Sequence, residues 1–369
     1  MRRELQEQLI RRLAELIERD ETTLVENERL NPVSEYFDPA RLAAERSQVL
    51  LRYPIVVDHV SQVTPDSPVH LTSVSGTNLV TALETDSRLR VLKQDCGGEP
   101  VSLDSAVGTV VCPAHGMAYS ARPDESHPAG PAGCLTEVPS EARHGFVWAR
   151  VESEAAIDVA AYLGHEIDGE LSDFRLGSYV VERTHVFTEN INWKSVIDGF
   201  LENYHVRFLH ANTLARFLRS NVHLYDPFGP HNRLAVIKTT FDKVRDLPVR
   251  EYEPLKHMSV IYQVFPNTVV NWVGDHFESW TSFPDPARPR LSRTLFTLLV
   301  PPDRVSEHDF WDRSMKTILD TIPNEDFKMA RIMQQGLLAN AQTHQVFGRN
   351  EGALQHFHIE LENVLGRAR

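Results

Sequence analysis

Three side chains able to do metal or acid–base chemistry share one predicted helix face in residues 192–210, NWKSVIDGFLENYHVRFLH. Apolar residues recur there at three- and four-residue steps, which predicts a helix. Asp198, Glu202 and His205 would lie on one face of that helix. Two carboxylates and an imidazole on an inward face cost free energy unless they are paired or bind a metal.

A second histidine, His210, follows His205 by five residues. Five residues are about 500° of helix at ~100° per residue, so both rings reach one metal only if the helix ends or bends near Phe208. Two neutral imidazoles and one carboxylate would form a non-haem iron site of the 2-His-1-carboxylate type. The alternative is a pair of hydrogen-bonded core histidines.

The whole stretch resembles the iron motif of Rieske-type non-haem oxygenase α subunits, which runs NWK, a carboxylate, then E/D-x-Y-H-x4-H. The matching residues are Asn192, Trp193, Lys194, Asp198, Glu202, Tyr204, His205 and His210. The resemblance implies an oxygenase in which His205 and His210 bind mononuclear Fe(II). Asn192, Asp198 and Glu202 are the candidate catalytic residues.

The third iron ligand is predicted to be Asp326, in PNEDFKMARIMQQGL. In the family an acidic pair opens the helix that ends in Q-x-G-L, and its second member binds iron. The first member, Glu325, is expected to complement the N-terminus of the helix. Helix-end complementation by both carboxylates is the alternative.

Glu202 matches the acidic residue that bridges subunits in the family. There it joins an iron-binding histidine to a Rieske histidine of the neighbouring chain in a head-to-tail trimer. In this chain the neighbour's His115 would be the second partner of Glu202. The alternative is that Glu202 only orients His205.

The cysteine loops resemble a Rieske domain that lacks one ligand. Cys112 and His115 form the C-x2-H loop, but Gly98 stands where the C-x-H loop that begins at Cys96 should have its histidine. Since a Rieske centre needs two imidazoles on one iron, we predict that no normal [2Fe–2S] centre is present.

Other ligands for that open position remain alternatives. Water, Asp95, Glu99 or a distant histidine would each complete the cluster. A Cys2His zinc site is a further alternative, although it lacks a fourth ligand at standard spacing. Cys134 matches no pattern and is predicted to be a core thiol.

The order of elements predicts an α+β fold. Residues 1–45 are expected to form N-terminal helices, with an amphipathic helix over residues 2–19 packed on its own domain rather than forming an oligomer contact. Residues 46–165 read as a small antiparallel β domain of the Rieske type. Residues 166–369 predict an antiparallel sheet around a long C-terminal helix, the helix-grip arrangement of the family's catalytic domain.

Composition narrows the possible partners. A net charge of −13 argues against nucleic acid, and no apolar run is long enough to span a membrane. The N-terminus has no apolar signal-peptide core, so a cytoplasmic location is expected. The resemblance implies O2 and a small organic substrate (aromatic, terpenoid or amine), a reductase or ferredoxin, and a homotrimer or a mixed ring with an intact α subunit.

Two classes of function follow. The first is an oxygenase that hydroxylates or dealkylates its substrate with mononuclear Fe(II) and O2, its electrons coming from a partner subunit if its own cluster is absent. The second is a non-catalytic subunit that assembles or regulates an active homologue. Iron chemistry that takes its electrons from the substrate is a third hypothesis.

Overall fold

The structure is a computed structural model that describes residues 1–96, 100–104, 108–116, 118–121, 134–339 and 341–367. Gly98 and Glu99, the two residues that depart from the Rieske loop pattern, lie outside the described residues.

Helices and strands alternate in blocks along the described chain. Its α-helices are α1 (Arg3–Arg19), α2 (Pro39–Ala44), α3 (Val159–Asp173), α4 (Trp193–Asp198), α5 (Val206–Leu209), α6 (His308–Thr321), α7 (Asp326–Leu338) and α8 (Gly352–Arg367). The first eleven strands are β1 (Arg29–Pro32), β2 (Ile55–His59), β3 (Val69–Val74), β4 (Thr77–Leu83), β5 (Leu89–Gln94), β6 (Ser102–Asp104), β7 (Thr109–Val111), β8 (Ala118–Ser120), β9 (Leu135–Val138), β10 (Ser140–Arg143) and β11 (Phe146–Ala149). The later strands are β12 (Val180–Glu189), β13 (Leu218–Phe228), β14 (His231–Lys238), β15 (Met258–Val264), β16 (Thr268–Trp272), β17 (Phe277–Pro284), β18 (Ser292–Val300) and β19 (His344–Phe347).

The strands pair in antiparallel sheets throughout the described residues, which confirms the predicted α+β class with antiparallel sheets. The largest sheet has the order β12-β18-β17-β16-β15-β14-β13. Strands β2 to β11 form three smaller sheets, β10-β11-β2, β3-β4-β5-β9 and β6-β7-β8. No helix in the described residues is both long and apolar enough to cross a membrane.

The large sheet separates two apolar layers because successive side chains on a strand point to opposite faces. One face carries α1 and α3, and the predicted N-terminal helix packs there through Leu9, Ile10 and Leu13. The other face carries α4, α6, α7 and α8, with Trp280 and Phe357 at its centre. The candidate iron ligands belong to elements of this second face.

The predicted continuous helix over residues 192–210 is wrong. Helix α4 ends at Asp198, and the short helix α5 begins only at Val206. The segment between them is bonded to β13 instead, because Ser220 donates hydrogen bonds to the carbonyls of Asn203 (3.1 Å) and Tyr204 (2.7 Å). Helix α4 therefore ends ten residues before the predicted bend at Phe208, and hydrogen bonds to β13 replace the helical ones.

The NWK triplet anchors α4 to the N-terminal region. Asn192 caps the helix by accepting a hydrogen bond from the Lys194 amide (3.0 Å). Lys194 is fully buried and donates to both carboxylate oxygens of Glu45, at 2.7 and 3.0 Å. The Trp193 indole donates to the same carboxylate at 2.9 Å. A buried charge pair with this many hydrogen bonds fixes α4 against the segment that follows α2.

Replacing Lys194 with Met should lower the free energy of unfolding by about 3–5 kcal/mol, because Glu45 would remain buried with a weakened set of partners. The exposed pair of Lys256 with Glu253 supplies the matched control, for which Lys256→Met should cost less than about 1 kcal/mol. Urea denaturation of both variants gives the comparison. Equal losses for the two would contradict a structural role for the buried pair.

Candidate metal centre

His205, His210 and Asp326 meet at one point between α5 and the start of α7. One ligand atom from each lies within 4.8 Å of the others. The His210 Nε2 atom lies 3.1 Å from Asp326 Oδ1, and the His205 Nε2 atom lies 3.9 Å from the same oxygen. The two imidazole rings are 5.2 Å apart between centroids. The structure thus brings together the three residues that the sequence singled out as ligands.

Each imidazole is held through its other ring nitrogen by a carboxylate. The Nδ1 atom of His205 is hydrogen-bonded to Glu202, which also accepts from the His205 amide at 3.2 Å. The Nδ1 atom of His210 lies 2.6 Å from Glu325 Oε2. With both Nδ1 atoms engaged, the Nε2 atoms are left to face Asp326. Metal-binding histidines commonly have this carboxylate–imidazole arrangement.

Glu325 has a different environment from the one predicted. It occupies the N-cap position of α7, but its side chain makes no capping hydrogen bond. Instead it accepts hydrogen bonds from His210 and from the Thr213 hydroxyl, the latter at 2.7 Å. The carboxylate orients an imidazole 115 residues away in sequence rather than complementing its own helix.

The break between α4 and α5 allows both histidines to reach Asp326. Asn203 donates to the Arg219 carbonyl at 2.9 Å, and its Oδ1 atom lies 2.9 Å from His223 Nδ1. These contacts hold the irregular segment on β13. A continuous helix would separate the two ring directions by ~140°, so the break is a requirement of the site.

The electrostatics of the cluster fit a divalent cation. Burial acts to lower the pKa of His210, but its hydrogen bonds to Asp326 and Glu325 and their charges raise that pKa above its usual value. The Asp326 Oδ2 atom is buried without a hydrogen-bond partner. Three carboxylates thus surround two imidazoles, Glu202 and Glu325 at the Nδ1 atoms and Asp326 between the Nε2 atoms. A cation facing Asp326 would satisfy the unpaired oxygen and reduce the excess of negative charge.

Asn192 and Asp198, the other two candidate catalytic residues, contact a neighbouring network instead. Asn192 donates to the carbonyls of Tyr36 (3.1 Å) and Pro289 (2.8 Å), in addition to capping α4. Asp198 accepts from the Tyr36 hydroxyl at 2.7 Å and lies 3.0 Å from His358 Nε2. Both side chains therefore hold α4 in place and do not contact the candidate metal ligands in the described residues.

The same network contains a strongly acidic carboxyl group. Burial acts to raise the pKa of Glu35, but the hydrogen bond with His358 and the charge of Arg41 lower it to about 2. Burial lowers the pKa of His358 and the carboxylates Asp198 and Glu35 raise it, with a net increase. The segment 35–45 therefore packs against α4 and α8 through charged as well as apolar contacts.

Cys96, Cys112 and Cys134 form a second cluster, with their sulfur atoms within 4.8 Å of one another. Cys134 is buried, as predicted for a core thiol. It also lies beside Cys96 and Cys112, which its position in the sequence did not indicate. Burial and the neighbouring thiols raise the pKa of Cys134 to about 11. His115 also belongs here, since its Nδ1 atom lies 3.4 Å from Cys112 Sγ.

The residues that sequence reasoning missed are Glu325 as the partner of His210, Thr213 and Cys134 as a member of the cysteine cluster. Glu325 stands next to the predicted ligand, and an adjacent acidic pair was a signal that two carboxylates serve one site. Neither Thr213 nor Cys134 has a spacing that marks it.

Comparison with known proteins identifies the class. Residues 176–367 match the family described as "Ring hydroxylating alpha subunit (catalytic domain)". The match covers more than half of the chain, and the chain belongs to this family of Rieske-type oxygenase α subunits. It is accordingly a non-haem iron oxygenase, as the sequence predicted. Rieske oxygenases use mononuclear iron and usually a [2Fe–2S] centre.

The individual proteins that resemble this chain share low sequence identity with it. The chain is 24% identical to putrescine 2-hydroxylase of Bordetella bronchiseptica, covering 91% of this chain and 84% of that protein. It is also 24% identical to putrescine 2-hydroxylase of Ralstonia nicotianae, covering 93% and 97%. A solved quaternary ammonium Rieske monooxygenase superposes with a TM-score of 0.71 at 15% identity, covering 93% and 95%. Naphthalene 1,2-dioxygenase from Rhodococcus superposes with a TM-score of 0.69 at 14% identity, covering 99% and 98%. The two structural likenesses show a shared fold.

Glu325→Gln should weaken divalent-metal binding by ~10–100-fold, because the amide would hold the His210 imidazole less strongly than the carboxylate does. Asn324→Ala is the control, since Asn324 is exposed and donates only to the Asp320 carbonyl. Titration of the metal-free protein with Fe(II) under anaerobic conditions measures both. Unchanged affinity in Glu325→Gln would contradict an orienting role.

Proposed function

We propose that this chain hydroxylates a small cationic amine with O2 at a mononuclear Fe(II) held by His205, His210 and Asp326. The observation that carries the proposal is the convergence of these three side chains, with both imidazoles fixed by carboxylates. Two imidazoles and a carboxylate, with further coordination positions left open, suit iron(II).

The unpaired Asp326 Oδ2 atom and the surrounding negative charge support a fit to the metal. When bound, Fe(II) would supply O2 activation beside the substrate. The chain's own residues do the rest: Glu202 and Glu325 hold the Nδ1 protons of the two histidines, so each Nε2 atom stays available as a neutral donor. The balance of the reaction is R–H, O2, two electrons and two protons giving R–OH and water.

A wall of aromatic rings leads away from the candidate metal centre. Phe327, next to Asp326 in sequence, packs on Phe187 with 5.3 Å between ring centroids. Phe187 stacks on Trp280 at 5.8 Å, and Phe200 packs on the same indole at 5.4 Å. Aromatic faces attract cations as well as apolar groups, so this wall suits a short aliphatic ammonium ion.

A buried carboxylate lies at the end of the wall. Glu278 is on the same strand face as Trp280 and accepts a hydrogen bond from its indole at 3.3 Å. Burial raises the pKa of Glu278, and among the described residues its ion-pair partner is His276, whose Nε2 atom lies 3.9 Å from Glu278 Oε1. The cross-strand neighbour Asn271 has a buried Oδ1 atom without a hydrogen-bond partner. An ammonium group would satisfy both acceptors, which agrees with the diamine named for the two curated relatives.

Electrons for the reaction would come from a reductase or ferredoxin in the cytoplasm. We propose a ring of three chains, in which Glu202 lies near the subunit boundary as in the resemblance described above. Because Gly98 removes a cluster ligand from this chain, a mixed ring with an intact α subunit would let the neighbour deliver the electrons. The same glycine favours a non-catalytic assembly subunit as the second candidate function.

The wild-type chain, made metal-free and reconstituted anaerobically, should bind one Fe(II) at the centre, and His210→Ala should retain less than ~10% of it because a direct ligand is lost. His308→Ala should bind iron normally, since His308 is exposed and pairs only with Glu182 among the described residues. Iron content by mass spectrometry decides the result. Full occupancy in a His205→Ala, His210→Ala double variant would refute the ligand assignment.

Glu278→Gln should raise the KM for putrescine by ~10-fold or more, because the lost charge is worth at least ~1.4 kcal/mol at a buried site, with a smaller change in kcat. Glu182→Gln, which alters a carboxylate paired with Arg183 on β12, is the control and should leave KM unchanged. The assay follows hydroxylated product by mass spectrometry with an added reductase system. If putrescine and related amines are not hydroxylated while an uncharged substrate is, the proposed substrate class is wrong.

A further inference from the structure

The cysteine cluster in the small β domain has the donors of a different metal site from the one that the family implies. The Sγ atoms of Cys96 and Cys112 are 3.5 Å apart, and Cys134 Sγ lies within 4.8 Å of both. The Nδ1 atom of His115 lies 3.4 Å from Cys112 Sγ. None of the three cysteines forms a disulfide. The described residues therefore offer three thiols and one imidazole.

The backbone holds these donors in place from three directions. Cys134 immediately precedes β9, and its carbonyl accepts from the Asp95 amide at 3.0 Å, which fixes it opposite the Cys96 loop. Cys112 immediately follows β7 and begins a tight turn in which its carbonyl accepts from the Gly116 amide at 2.8 Å. Cys112 and Cys134 are buried among apolar residues, whereas His115 is exposed.

One side chain already donates toward sulfur. The Gln94 amide nitrogen lies 3.2 Å from Cys96 Sγ, with the sulfur as acceptor. A hydrogen bond to sulfur stabilises the thiolate form that binds metal, and such outer contacts commonly accompany metal ligands.

These donors do not fit a Rieske [2Fe–2S] centre. That centre has two thiolates on one iron and two imidazoles on the other, so the cysteine and the histidine of one C-x2-H loop bind different irons. Here Cys112 Sγ and His115 Nδ1 lie 3.4 Å apart, which is the spacing of two ligands on one metal ion. Gly98 provides no second imidazole, and the third donor near Cys96 and Cys112 is the thiol of Cys134.

Two of the distances fit the edges of a tetrahedral metal site, and the exposed His115 ring would turn from Cys112 to come within reach of the same ion as Cys96 and Cys134. With Zn–S bonds of about 2.3 Å and Zn–N bonds of about 2.0–2.1 Å, the edges of the tetrahedron are about 3.8 Å between sulfurs and about 3.5 Å between sulfur and nitrogen. The Cys96–Cys112 and Cys112–His115 contacts, 3.5 and 3.4 Å, lie within a few tenths of an ångström of these edges. Sulfur-rich tetrahedral sites are typical of structural zinc.

We propose that Cys96, Cys112, Cys134 and His115 bind a single Zn²⁺ in the position where the family carries its two-iron cluster. Zinc has no redox chemistry, so the site would have a structural role and would not transfer electrons. Electrons for any oxidation at the mononuclear centre would then enter from another protein with its own iron–sulfur group.

The test uses the full chain, with metals and acid-labile sulfide measured after anaerobic purification. We expect one zinc per chain, no acid-labile sulfide and no Rieske EPR signal after dithionite. Cys134→Ala should lower the affinity for zinc because it removes a direct ligand. The loss should exceed the ~10–100-fold that follows the removal of a hydrogen-bond partner of a ligand. The same variant should keep the iron of the His205 centre, while His205→Ala should show the opposite pattern.

Cobalt substitution keeps the proposal testable if Cys134→Ala fails to fold. Co²⁺ bound to the wild-type cluster should give thiolate charge-transfer absorption with the intensity of three Co–S bonds and tetrahedral d–d bands, both displaced by Zn²⁺. Two irons with two sulfides per chain, a two-thiolate cobalt spectrum, or no bound metal after anaerobic zinc loading would each overturn the proposal.

Discussion

Two carboxylate–imidazole hydrogen bonds determine the geometry of the candidate iron site. Glu202 and Glu325 engage the Nδ1 atoms of His205 and His210, and this leaves both Nε2 atoms directed toward Asp326. Each bond fixes a ring and a tautomer together, which a metal site needs because only the deprotonated nitrogen can bind. The price is a concentration of negative charge around one small volume, which a divalent cation would offset. The break after Asp198, the Asn192 cap and the Lys194–Glu45 ion pair hold the elements that carry these bonds.

The support comes from elements that are distant in sequence. Gln334 of α7 accepts from the Asn192 amide at 3.0 Å, so the helix that provides Asp326 is joined to the start of the helix before His205. Lys194 joins that same helix to Glu45, and Asp198 joins it to Tyr36 and His358. The NWK triplet is therefore a set of anchors: a cap, an apolar side chain with one donor, and a buried cation. The triplet holds the elements that carry the candidate ligands and is not itself a candidate ligand.

The proximity of His205, His210 and Asp326 could be predicted because the histidine motif is local and long, and Asp326 followed from its distance to QQGL. The partner of His210 could not, because a contact between residues 115 positions apart depends on packing that no local pattern encodes. The break after Asp198 was missed for the same reason, since bonds from Ser220 on a later strand override an apolar pattern that favours helix. Cys134 was buried as predicted, yet only the pairing of β5 with β9 brings it to Cys96.

The pairing of β1 with β19 has a consequence for synthesis on the ribosome. Residues 29–32 find their strand partner only at residues 344–347, and the Val25 amide donates to the Arg349 carbonyl at 2.8 Å. Strand β1 must therefore remain unpaired until residues 344–347 have been synthesised. During that interval the apolar stripe of α1 and the edge of β1 lack their final neighbours, and such surfaces promote self-association in nascent chains. Protection of these surfaces is therefore needed over the interval between the synthesis of β1 and that of β19.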